Sequence, residues 1–147
     1  HSFPTRRSSD LARQAVALAP RRPDPHDVLC EALRHLAQSR LLRGAAEPAE
    51  FQRVTDEGIS ECATLLGLDS NHPTAHGNGG ALWLLKAQRT TDVEARRAAA
   101  ARAAQSINRA LAQNPRLRRD YGPLLATAQQ LASPDAKAAA VVAPRTP

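Results

Sequence analysis

The sequence predicts an all-α protein built as a stack of antiparallel helical hairpins, and three observations carry that expectation. Alanine and leucine dominate, β-branched residues are few, and aromatics make up 3% of the 147 residues. That balance favours helices with narrow, small-residue seams over a sheet. Apolar residues recur at helical spacing in successive segments, each bounded by proline, glycine or a capping residue. These segments also resemble one another at intervals of 50 and then 45 residues. A chain of this length supports one domain, with residues 12–132 enough for a modest helical core.

The first residues stand apart. His1-Ser-Phe-Pro-Thr-Arg-Arg-Ser-Ser-Asp-Leu11 matches, at every position, the in-frame translation of a widely used sequencing-library adapter. Residues 1–11 are therefore expected to be a disordered artefact, set aside like a fusion scar. The natural chain is expected to enter near Ala12, as a fragment of something longer. Residues 12–19, ended by Pro20, read as the last turns of a helix and so as a partial repeat.

A first hairpin is expected at about residues 23–69. Asp24 can cap its first helix, Pro25 fits the first helical position, and Asp27 suits the helix dipole. Val28, Leu29, Leu33, Leu36 and Ala37 then recur at helical spacing as far as Leu42, with Gly44 as the stop. Pro48 opens the partner helix, whose apolar stripe is Phe51, Val54, Ile59, Cys62, Leu65 and Leu66. Gly58 costs about 1 kcal/mol against alanine in mid-helix, so its presence points to close helix contact.

A second hairpin is expected at about residues 73–114. Its first helix runs from Pro73 to about Arg89. Thr91-Asp-Val-Glu94 has the capping-box pattern and starts the second, which continues to Ala112. Ala100, Ala103, Ala104, Ile107, Ala110 and Leu111 would face inward, and Arg96, Arg102 and Arg109 water. A shorter helix over residues 121–132, begun near Asp120 with Pro123 in its first turn, makes a last partial repeat at 119–132. Residues 133–147 are expected to be a disordered tail.

Superposing the helices gives a register. His26, His76 and Tyr121 share an early position in the first helix of each unit, followed by Leu33, Trp83 and Ala128. In the second helix Gly58, Cys62 and Leu65 correspond to Ala103, Ile107 and Ala110. Small residues at Gly80 and Ala103, larger ones at Trp83 and Ile107, Ala110 and a terminal Pro115 resemble a tetratricopeptide repeat. Arg43-Gly-Ala-Ala-Glu-Pro48 resembles the Arg-Gly-x-x-Pro insertion in long tetratricopeptide arrays of bacterial serine/threonine protein kinases. Arg118-Arg-Asp-Tyr-Gly-Pro-Leu-Leu125 resembles the way such arrays end. The resemblance implies an α-solenoid fragment forming a right-handed superhelix, with a protein–protein interaction or scaffolding role. It also implies that the chain is the C-terminal part of a larger bacterial protein such as a kinase. No kinase glycine-rich loop, catalytic-loop aspartate or metal-binding aspartate occurs here, so no catalytic residue is expected.

In that family the first helix of each hairpin lines the inner groove. Asn78 sits where family members often place an asparagine that holds a peptide backbone, since an amide can donate and accept at once. Glu31, Arg34, His35, Gln38, Asn78 and Lys86 are the groove candidates, with a plain solvated face as the alternative for each. The basic residues of a carboxylate clamp do not line up with them. No cofactor or metal is expected: His26 and Cys30, and His72 and His76, have i,i+4 spacing but lack a third ligand, and read as packing residues. Trp83 likewise reads as seam packing.

The remaining composition narrows the classes. The formal charge of +6 resides mostly in arginine scattered along helices without interleaved aromatics, which favours solvated faces over nucleic acid. A nucleic-acid-binding rival would use Arg96, Arg102, Arg109, Arg116, Arg118 and Arg119 as one basic stripe. A small enzyme would need His35, Cys30 and Cys62 gathered in a pocket. Cys30 and Cys62 lack zinc-site spacing and read as small apolar seam residues in a reducing, cytoplasmic compartment. No apolar run approaches the ~20 residues of a membrane span. Expected partners are therefore a protein or peptide, with self-association through the uncapped edge at residues 12–19.

Overall fold

The computed structural model describes residues 6–43 and 48–134, and six α-helices account for most of them, with no strand among the described residues. They are α1 (Arg6–Leu18), α2 (Pro23–Arg43), α3 (Pro48–Leu68), α4 (Ala75–Arg89), α5 (Val93–Gln113) and α6 (Arg118–Ala132), with a 3-10 turn, Pro115–Leu117, before the last. The all-α expectation holds. Residues 1–5, the insertion at 44–47 with its Gly44 stop, and the tail from 135 lie outside the described residues.

Local chemistry sets the helix ends, with some departures from expectation. α2 begins at Pro23, so Pro23 and Pro25 both lie in its first turn, where amides have no intrahelical acceptor and two prolines lose no bond. Asp24 then contributes charge rather than a cap. α5 is capped by Asp92, whose carboxylate accepts from the Ala95 amide at 2.8 Å, in place of Thr91. A charged acceptor at the positive end of the helix is the stronger cap, and Glu94 remains in the first turn.

The Asn114 side chain accepts from the Arg116 amide and starts the 3-10 turn, which runs straight into α6. α6 therefore begins at Arg118, and Pro123 falls inside the helix beyond the turn that tolerates it freely. Tyr121 and Ala128 are the buried residues of α6.

The residue separations of the contacts give the helix directions. Arg6 pairs with Glu50 and Arg13 with Glu57, each 44 residues apart, so α1 and α3 run the same way. Asp27 with Thr74 and Arg34 with Asn78 show the same for α2 and α4. Within a hairpin the order reverses. Moving along α2, His26 meets Glu61 and Leu33 meets Gly58 on α3; moving along α4, Gly80 meets Ile107 and Trp83 meets Arg102 on α5. Each helix packs on the next, and α4 also packs on α2 and α6.

Small residues decide how close the helices come. A Cβ on Gly58 would lie 2.7 Å from Leu82 Cδ1 and 3.2 Å from Leu33 Cβ, so α2, α3 and α4 converge on that glycine. A Cβ on Gly80 would lie 2.7 Å from Ile107 Cγ1 and 3.2 Å from the Ala103 carbonyl oxygen. The seam roles expected of Gly58, Gly80 and Ala103 are those the fold uses.

Two expectations are corrected. Residues 6–11, expected to be disordered, form the first part of α1, because Arg6 and Arg13 find carboxylates on α3 and Ser9 bonds back to the Arg6 carbonyl within the helix. Cys30 and Cys62 are buried seam residues, as expected, but they are joined in a disulfide. In the register Cys30 stands where Gly80 does and Cys62 where Ile107 does. At this register position the first hairpin has a disulfide and the second a glycine receiving an isoleucine.

Candidate functional site

The groove candidates divide into three groups. Arg34, half-buried on α2, donates from Nη1 to Asn78 Oδ1 at 2.9 Å and to the Tyr121 hydroxyl oxygen at 2.6 Å. Its guanidinium also lies over the Tyr121 ring, 5.2 Å from the centroid. One side chain thereby ties together α2, α4 and α6. Gly77 makes room for this: a Cβ there would lie 2.8 Å from the Tyr121 ring.

Asn78 is only 4% exposed, and Arg34 occupies its amide oxygen. It braces the wall instead of standing free to hold a peptide, as the resemblance implied. In the sequence Tyr121 stands out only by its register position. Its place in the register beside His26 and His76 marked it as buried, but a phenol in place of an imidazole was the only sign of a polar role.

Glu31, His35 and Gln38 share a face of α2 with Arg34, and Glu31 lies 3.6 Å from His35 Nε2 as an exposed pair. Lys86 belongs elsewhere. Its ammonium pairs with Asp56 on α3 at 2.7 Å and lies 5.4 Å from the centre of the Trp83 ring. Arg102 of α5 covers the same ring at 5.2 Å. Trp83 itself packs against the cluster formed by Leu84, Ala103 of α5 and Ala128 of α6.

The remaining singled-out residues are accounted for by packing. His26 is buried, with Nδ1 2.7 Å from Glu61 Oε2 and Nε2 2.7 Å from the Pro20 carbonyl. Burial pulls its pKa down, but the two hydrogen bonds and the Glu61 charge outweigh that and raise it above 6.5. His76 is also buried, and desolvation, with the nearby Arg109 charge, lowers its pKa. Cys30 and Cys62 bond each other, so neither is a free nucleophile. Among the described residues no group of three His, Cys, Asp or Glu is placed to hold a metal ion.

The arginines of the nucleic-acid rival separate by exposure. Arg96 and Arg97 are half-buried, with Arg97 3.3 Å from Glu94, whereas Arg102, Arg109, Arg116, Arg118 and Arg119 are exposed. A cleft of about 410 Å³ between α1 and α3 is walled on the α1 side by Arg6, Ser9, Asp10 and Arg13. Three of those four lie in the adapter-like stretch, so the cleft carries no functional reading. No helix among the described residues is long and apolar enough to cross a membrane. No family model matches the chain, and neither a curated protein nor a solved structure matches it.

Proposed function

We propose that this chain is a tetratricopeptide-like protein–protein interaction module that holds a polypeptide against the face formed by α2, α4 and α6. The supporting observation is the Arg34–Asn78–Tyr121 bridge, which fastens the first helices of three successive units into one wall. The shared direction of α2 and α4 and the tight seams at Gly58 and Gly80 are what stacked hairpins require. Glu31, His35 and Gln38, beside the bridge, are the contact residues; Asn78 supports them from behind. The sequence likeness to kinase-associated arrays makes a larger bacterial serine/threonine kinase the proposed parent, with this chain supplying recognition and no catalysis.

Compartment follows the cysteines. The sequence favoured the cytoplasm, but thiols there are kept reduced, so the Cys30–Cys62 bond counts towards an oxidising compartment. Selection of random twelve-residue peptides displayed on phage tests the interaction reading. Enriched peptides are expected to lose about tenfold or more in affinity, roughly 1.4 kcal/mol, on Gln38→Ala or His35→Ala, and to be indifferent to Thr64→Ala on α3. Absence of any enriched sequence, or equal binding by all three variants, would count against it.

A further inference from the structure

Charge is divided unevenly along this chain. Up to residue 94, twelve acidic and eleven basic side chains nearly cancel; beyond it nine basic face two acidic, and between residues 95 and 119 there are seven arginines and no carboxylate. The structure sharpens the contrast. Arg6, Arg13 and Lys86 each meet a carboxylate on a neighbouring helix. Arg102, Arg109, Arg116, Arg118 and Arg119 are exposed on α5, the 3-10 turn and the start of α6, and none has a carboxylate within ion-pair distance among the described residues.

We propose that these exposed arginines bind an acidic segment of a partner polypeptide. The proposal rests on the interaction reading above and assigns it a partner chemistry and a second surface. Unpaired like charges repel one another in the free protein, and a polyanion relieves that repulsion. Guanidinium groups suit carboxylates because they bind them side-on through two parallel N–H bonds. Spacing fits as well. Arg102 and Arg109 stand seven residues apart on one side of α5, about 10.5 Å along its axis. A polyproline II chain advances about 3.1 Å per residue with three residues per turn, so carboxylates three residues apart lie on one side of it and match the pair.

Single-stranded nucleic acid fits less well, because it needs aromatic rings on which bases stack. The rings of Phe51, Trp83 and Tyr121 are each covered by a cation, from Arg89, from Lys86 and Arg102, and from Arg34, at 5.0–5.4 Å.

The test is fluorescence anisotropy with a labelled twelve-residue oligoglutamate, an oligoglutamine of equal length and a twelve-nucleotide oligothymidylate, using the whole chain. Oligoglutamate is expected to bind, oligoglutamine not to bind, and binding to weaken as salt is raised. Arg102→Gln with Arg109→Gln should weaken oligoglutamate at least about tenfold. Arg109→Gln with Arg119→Gln, which leaves the Trp83 stack intact, should do the same while helicity by circular dichroism is unchanged. Arg13→Gln should leave binding within about twofold. Equal binding by the double variants overturns the proposal, as does tighter binding of oligothymidylate. Phage-selected peptides that still depend on Gln38 and His35 when the arginine variants are silent would show that this inference has failed and the interaction module has not.

Discussion

Both ring nitrogens of His26 face acceptors, the Glu61 carboxylate and the Pro20 carbonyl, an arrangement that favours the imidazolium, in which both carry protons. Its pKa is raised above 6.5 in the folded chain, so the stability it contributes is fully present below the unfolded value and lost as pH rises through the folded one. His76 has a lowered pKa and acts in the opposite sense, favouring the fold as pH rises towards 6.5. The comparison that isolates His26 is therefore wild type against His26→Gln. The variant's denaturant midpoint should decline less between about pH 6 and about pH 8, a range that brackets histidine titration. Identical slopes would mean that the ring is not charged.

Glycines give a second test at this scale. Gly80→Ala gains up to about 1 kcal/mol of helix propensity, but its methyl meets the Ala103 carbonyl and the Ile107 backbone, which cannot move as a side-chain tip can. The clash should win, for a net loss of about 2 kcal/mol by urea unfolding. Gly67→Ala, with nothing within 4 Å of the new methyl, should gain about 0.5 kcal/mol.

At the level of single helices, the first hairpin and the second are held by different means. α2 and α3 are joined by the disulfide between Cys30 and Cys62, 32 residues apart, with the His26–Glu61 bond beside it. α4 and α5 rely on Gly80 and the alanines of α5. Cys30→Ala with Cys62→Ala should therefore cost roughly 3–4 kcal/mol on the loop-entropy estimate, and a reductant should lower the Tm of wild type but not of the double variant. A reductant-insensitive wild type would mean that the bond does not form. At the start of α5, Asp92→Ala removes a cap bond and should cost about 1 kcal/mol, whereas Thr91→Ala should cost little. The cap lay one residue from its expected place because Thr91 and Asp92 are adjacent candidates, and sequence does not say which side chain reaches the free amide.

Taken whole, the molecule is a row of helices with α4 at its middle. Eleven of the fifteen residues of α4 are buried, against two each in α1 and α6. Stability in such a row is graded by neighbours. Amide hydrogen exchange should be slowest in α4 and fastest in α1 and α6; uniform protection would contradict the row. Along the same row α3 supplies carboxylates to α1 and α4, whereas the exposed arginines of α5 and α6 have no carboxylate within ion-pair distance among the described residues.

Sequence alone determined the helices apart from the first part of α1, their order and the seam positions, because helical spacing, prolines at first turns and isolated mid-helix glycines are local signals. Those signals make Gly58, Gly80, Ala103 and Ile107 legible as contact points in the sequence itself. Only the tertiary structure decided which side chains meet across 44, 87 or 32 residues: Arg34 with Asn78, Arg34 with Tyr121, and Cys30 with Cys62. Such meetings depend on how neighbouring helices are turned about their axes. That rotation is set by the fit of whole faces, and no short stretch of sequence contains it.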